Sequence, residues 1–158
     1  MRRVRTQPAG GSTELDEYGH VLMSSFPSAR RQIVRVDLFC QITGQRGPLA
    51  VMSTAVTTRS FGIRVPDVVW MSSERWDTFE RNDSMPFVPN LCVEVLLDDD
   101  RQRNIARRIK AYLDSGAREV IVVSPSGQIG LWGASGLQQV SMFEITLSLD
   151  RIYFYPDS

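Results

Sequence analysis

The run Leu91-Cys92-Val93-Glu94-Val95-Leu96-Leu97 restricts the fold of this chain more than any other segment. It is apolar at both alternating sets of positions, the pattern of a strand covered on both faces. Directly behind it, Asp98 to Ser115 carries Ile105, Ile109, Tyr112 and Leu113 at helical spacing, and Gly116 supplies a stop. Glu119 to Val123 is a second β-rich run. A central strand of this kind needs helices above and below it, so the rest of the chain must provide cover.

The upstream half supplies the other helix. Ser28 can cap a helix that runs to about Thr43, with Ile33, Val36, Leu38 and Phe39 as its apolar stripe and Gly44 to Pro48 ending it. Before it, Glu14 to Ser24 reads as a short hairpin with Val21-Leu22-Met23 as the second strand. Leu49 to Thr57 and Ile63 to Met71 are β-rich, with Pro66 expected at a strand entrance or edge, and Ser72 begins a short helix. Short strands are expected at 128–132, 138–141, 143–147 and 152–155. The order of elements predicts an α/β (α+β) domain in which helices flank a central mixed β-sheet. At 158 residues the chain has the length of one domain, expected over 14–158, with 1–13 as a flexible N-terminal arm.

Several function classes drop out. No apolar stretch reaches the roughly 18–20 residues of a membrane helix, and no apolar signal core follows the basic start, so a cytoplasmic protein is expected. Cys40 and Cys92 lack the spacing of a zinc or redox motif and read as small buried hydrophobes. His20 is the one imidazole, and its place in a turn-to-strand passage gives little support to a hydrolase triad. Glycine-rich dinucleotide and phosphate-loop motifs are absent, so no nucleotide cofactor is expected.

Three features can carry chemistry. Glu94 is a carboxylate inside the most apolar strand, where lost hydration must be compensated by a cation or by donors. Asp67, after Pro66, precedes the strand Val68-Val69-Trp70-Met71. Arg101, Arg103, Arg107, Arg108 and Lys110 form a basic run with no acid among them, in a chain whose 18 bases and 18 acids otherwise balance. Each has a plain structural explanation: an ion pair, a turn dipeptide, a solvated helix face that suits the macrodipole. Together they suit phosphodiester chemistry, because Mg²⁺ binds through one or two carboxylates plus substrate phosphate.

These residues resemble a known family. Val65-Pro66-Asp67-Val68-Val69-Trp70-Met71-Ser72-Ser73-Glu74-Arg75-Trp76 and Val88-Pro89-Asn90-Leu91-Cys92-Val93-Glu94-Val95-Leu96 are similar to two motif blocks of the bacterial "putative restriction endonuclease" family, within the PD-(D/E)XK nuclease superfamily. Glu14-Leu15-Asp16 with Met23 to Ser28 resembles its N-terminal block, and Arg108 to Tyr112, Gly116 and Glu119 to Pro125 its later helix and strand. The resemblance spans roughly residues 14–133.

The resemblance implies a restriction-endonuclease-like core and an endonuclease that hydrolyses DNA with Mg²⁺ (or Mn²⁺). Asp67 and Glu94 would be the metal ligands and Glu14 an accessory acid. The family's lysine position is Arg108 here, with Lys110 two residues on and therefore about 200° around the helix. Arginine keeps the charge but cannot act as a general base. Arg101, Arg103, Arg107 and Arg31, which stands where the family often has His, would contact nucleic acid. DNA is the expected partner, and a homodimer is expected because such folds expose sheet edges. The competing reading is a nuclease fold that has lost cleavage and serves as a nucleic-acid or protein binding module.

Overall fold

The computed structural model describes residues 13–24, 26–98 and 102–154. The expected arm lies outside them, apart from Thr13, which already belongs to the first strand. The main sheet has six strands in the order β10-β9-β8-β7-β6-β3. Its centre is β7 (Leu91–Val95), paired antiparallel to β6 (Val68–Trp70) and parallel to β8 (Glu119–Val123). Outside these lie β3 (Ala50–Met52) next to β6, and β9 (Ile129–Gly133) with β10 (Gly136–Gln138) beyond β8. Every residue of β7 is buried, as its sequence requires.

Cover comes from two helices on opposite faces. Leu91, Val93 and Val95 point toward α1 (Ala29–Arg46), which contributes Val34, Leu38 and Ile42. Cys92 and the neighbouring Val69, Met71 and Val120 pack instead against Tyr112, Ile109 and Leu113 of α3 (Ile105–Asp114). The parallel β7–β8 pair is joined through α3, the crossover that parallel strands demand.

A second, four-stranded antiparallel sheet, β2-β1-β5-β4, is built from β1 (Thr13–Leu15), β2 (Val21–Met23), β4 (Val56–Thr57) and β5 (Ile63–Arg64). Each of the two long β-rich runs of the sequence therefore splits between sheets. Val65-Pro66-Asp67 is the crossing between β5 and β6, and Pro66, which has no N–H to give a ladder, fits that position. Between β6 and β7, Ser72 caps the four-residue α2 (Ser73–Trp76), its side chain accepting the Arg75 N–H.

The structure corrects several expectations. Helix α1 runs past Gly44 to Arg46 and ends at Gly47, whose φ of 100° is open to glycine. Its buried face holds Arg31, Val34, Leu38 and Ile42, while Ile33 and Val36 are exposed. Cys40 is exposed as well; only Cys92 is buried. Helix α3 begins at Ile105, behind Asn104 at φ 59°, well after Asp98.

The remaining correction lies near the C-terminal end. Residues 143–147 are not a strand, and a 3-10 turn at Arg151–Tyr153 takes the start of the strand expected at 152–155, whose last residue lies outside the described ones. The 143–149 segment has the alternation of a strand: Phe143, Ile145, Leu147 and Leu149 all pack on the α1-side core. Its backbone, however, pairs with side chains. Gln45 gives its Nε2 to Thr146 O (2.8 Å) and takes the Thr146 N–H (2.8 Å). One turn earlier, Gln41 does the same for Ser148, at 2.7 and 3.0 Å. Two helical amides thus stand in for a neighbouring strand. Glu119, fully buried, anchors the start of the segment by accepting Ser141 Oγ (2.7 Å) and the Met142 N–H (2.9 Å).

Candidate active site

Glu94 sits in the middle of β7 at 0% exposure, on the face toward α3. A buried carboxylate needs compensation, and α3 supplies it from two residues one turn apart. Tyr112 donates its hydroxyl to Glu94 Oε1 at 2.7 Å, and Arg108 Nη1 stands 3.5 Å from the same oxygen. Burial, with the Glu94 charge adding to it, holds the Tyr112 phenol well above its usual range, so it stays a donor. Cys92, on the same face, is raised for the same two reasons and is no thiolate nucleophile.

Arg108 is the hub. Its other acceptor is Glu14 of β1, gripped through both guanidinium nitrogens at 2.8 and 2.5 Å. Burial works against its charge, but Glu94 and Glu14 outweigh that and raise its pKa further, so it remains a fixed cation. Glu14 also accepts the Val65 N–H at 2.6 Å, which ties the accessory acid to the crossing that carries Asp67. Arg64 Nη1 lies 3.7 Å from Glu14 on its other side. Its own position is fixed by an Nε–H donated to Phe61 O (2.7 Å) and by stacking 3.6 Å from the Phe61 ring centroid.

Asp67 is held differently. Its backbone N–H bonds to Val93 O (2.9 Å), and its Oδ2 accepts the Val95 N–H at 2.6 Å. The ladder donor Val95 N–H faces away from β8, toward where a β6 carbonyl would sit if β6 were longer. The carboxylate replaces that carbonyl, so it lies near the plane of the sheet, one peptide from Glu94. Its Oδ1 meets Arg31 at Nη2 (2.7 Å) and Nε (3.1 Å), and Arg35 Nε at 3.3 Å. Arg31 reaches on to Asp98 at 3.3 Å and also feels the charge of Glu94, so the two carboxylates share one local field.

The nine residues singled out from the sequence part ways in the structure. Glu94, Glu14 and Arg108 come together in one buried cluster at α3, whereas Asp67 is held from α1 by Arg31 and Arg35 and reaches only the Val95 N–H, on the peptide that follows Glu94. Arg31, expected at nucleic acid, is 3% exposed and serves as a counter-ion to Asp67. Lys110 points outward at 77% side-chain exposure and pairs with Asp114, as its angular offset from Arg108 requires. Arg103 is exposed; Arg107 is exposed too, paired with Glu17 (3.2 Å) and stacked on Phe61. Arg101 lies outside the described residues. Sequence reasoning missed Arg35, Arg64 and the role of the Tyr112 hydroxyl. Arg35 and Tyr112 were signalled by spacing, each standing four residues after an arginine of the site.

Among the described residues no three His, Cys, Asp or Glu side chains gather into a metal cluster. Asp67 and Glu94 are hard oxygen donors of the type and number Mg²⁺ accepts, since that ion keeps several waters and takes substrate phosphate. Both are compensated by guanidinium groups in this arrangement, so a cation would enter by displacing Arg31, Arg35 or Arg108 from part of its contact. Beside Arg108 opens a cavity of about 290 Å³ lined by Glu14, Arg64 and Arg108, by Arg103 at the start of α3, and by Leu22 and Met23 of β2.

Comparison with known proteins bears on the fold and the family. Among solved structures, a crystal structure described as a putative nuclease belonging to DUF820, from Anabaena variabilis, superposes with a TM-score of 0.68 at 16% identity. The match covers 96% of this chain and 93% of that one, and shows that the fold is shared. No curated protein matches the chain. The family model Uma2, "Putative restriction endonuclease", matches residues 19–151 and so takes in β6, β7, α3 and the carboxylates they carry. The chain thus belongs to the Uma2 family, on a nuclease fold.

Proposed function

We propose that this protein is a metal-dependent endonuclease that hydrolyses DNA phosphodiester bonds. The observation that carries the reading is the buried cluster of Glu94, Arg108 and Glu14, with Asp67 bonded to the Val95 N–H next to Glu94 and an open cavity beside Arg108. Asp67 and Glu94 would hold Mg²⁺ or Mn²⁺, which would supply polarised water and neutralise developing phosphate charge. Arg108 cannot take a proton, so its part is electrostatic: a fixed positive charge for a phosphate oxygen, aimed by Glu14. Tyr112 orients Glu94, and Arg31 with Arg35 orient Asp67. Exposed Arg103 and Arg107 are the backbone contacts within reach of the cavity mouth. The reading extends to a cytoplasmic homodimer.

The second reading, a binding module without cleavage, is favoured by one observation: Arg108 bridges Glu14 and Glu94, filling the place a cation would need. A divalent-metal titration with plasmid, single-stranded and structured DNA separates the two. In an active enzyme, Asp67→Ala and Glu94→Ala abolish metal-dependent cleavage, while Arg108→Lys preserves or raises it. Absence of wild-type cleavage in both Mg²⁺ and Mn²⁺ would leave the binding module.

A further inference from the structure

The cavity beside Arg108 has two chemically different sides. In its interior Arg64 and Arg108, 4% and 7% exposed, flank the Glu14 carboxylate, two guanidinium groups to one acid, and exposed Arg103 stands where α3 begins. Arg103 has no acidic partner among the described residues. The positive end of the α3 dipole lies at the same place. The other side comes from β2, an edge strand whose Val21, Leu22 and Met23 are exposed at 62%, 40% and 66%. A strand covered on one face should bury alternate residues; this one buries none. Phe26, just beyond, is 53% exposed, so the apolar surface continues past the strand.

Apolar surface contiguous with guanidinium groups matches a ligand that is apolar at one end and anionic at the other. A nucleotide is such a ligand, provided its base is unstacked. A duplex cannot use this site: its bases face inward, and its phosphates cannot reach arginines this deeply buried. At about 290 Å³ the cavity is at the small end of ligand pockets, the scale of one nucleotide unit and not of a helix.

Resting on the nuclease reading above, we propose that this cavity receives one unpaired nucleotide of single-stranded or frayed DNA, its base against Leu22 and Met23 and its phosphate on Arg103 and Arg108. The substrate class is then single-stranded DNA or duplex ends and distortions, in preference to intact duplex. Charge complementarity selects nucleic acid over a second copy of the chain as the occupant of the β2 surface.

The test is equilibrium binding of the full chain to a labelled oligonucleotide, single-stranded and as its own duplex, in EDTA so that cleavage plays no part. The single strand is expected to bind at least about tenfold tighter. Leu22→Ser combined with Met23→Ser, which removes the apolar surface without adding charge, should remove about that factor for the single strand and leave duplex binding unchanged, while Met23→Leu keeps it. Both residues are exposed enough for the fold to tolerate the change, which circular dichroism checks. Equal or tighter duplex binding, or an unaltered double variant, overturns the inference. So does a double variant that changes only from dimer to monomer in sedimentation, since β2 would then be a contact between copies. Cleavage in Mg²⁺ or Mn²⁺ is scored separately. Duplex cleavage indifferent to Leu22 and Met23 sinks this inference and keeps the nuclease; single-strand preference without cleavage does the reverse.

Discussion

At the scale of single residues, the site is a set of charges that hold one another in place. Asp98 shows how this reaches the helix that covers the sheet: it accepts the Ser28 N–H at 3.1 Å and Arg31 Nη1 at 3.3 Å. Partial burial works to raise its pKa, but the bonds from Ser28 and Arg31 prevail and hold the carboxyl below its ordinary value. A carboxylate favoured in this way stabilises the fold at every pH above its unfolded titration. That contribution is lost as pH falls through the lowered folded value. Asp98→Asn should therefore weaken the protein at neutral pH and matter progressively less below about pH 4. Urea titrations of both proteins across that range read the difference, and a gap that widens toward acid contradicts the assignment. Glu94 was legible as a charge out of keeping with its apolar strand, and Glu14 and Arg108, which meet it in the structure, through the resemblance. Arg64 was not, because nothing about its neighbours in sequence says whether an arginine side chain folds inward; for Arg35 the one signal was its spacing from Arg31.

Elements were legible where one pattern dominated and failed where two competed. Helix α1 carries two apolar stripes, one through Ile33 and Val36 and one through Val34, Leu38 and Ile42. Apolar content alone cannot choose between them. Arg31 and Arg35 decide the matter, because both must reach Asp67, and they share a face with Val34 and Leu38. The helix is thus turned by its ion pairs and leaves good hydrophobic surface in solvent. Leu38→Ala should cost about 2–5 kcal/mol, and Ile33→Ala no more than about 0.5 kcal/mol. Denaturant unfolding of the two variants checks this; comparable losses would restore the Ile33 face to the core. The strand expected at 143–147 failed for a related reason. Alternation reports which side chains are buried, and says nothing about whether a strand or two glutamines receive the backbone.

For the whole molecule, the β7–α3–β8 centre and its flanking helices followed from one apolar strand and one amphipathic helix. The second sheet did not follow, since its strands are two or three residues long and carry little periodicity. Yet the second sheet brings Glu14 and Arg64 to Arg108, so the site belongs to the junction and not to either sheet. The exposed Ile33 and Val36 of α1 lie beside Tyr153, whose hydroxyl bonds Asp37 at 2.6 Å, and together they are the surface on which the proposed homodimer would form. Sedimentation at micromolar concentration is expected to give a dimer, and a monomer there would count against that part of the proposal.

The glutamine pair on α1 has a consequence for how the molecule comes apart. Segment 143–149 contributes four hydrophobic residues to the core but no rung to any ladder. Peeling it away breaks the contacts of two side chains and leaves all six strands of the main sheet paired. The fold therefore contains a seam along which it can open in part, a detachable flap over the α1 side, while the charges around Arg108 on the far face stay assembled.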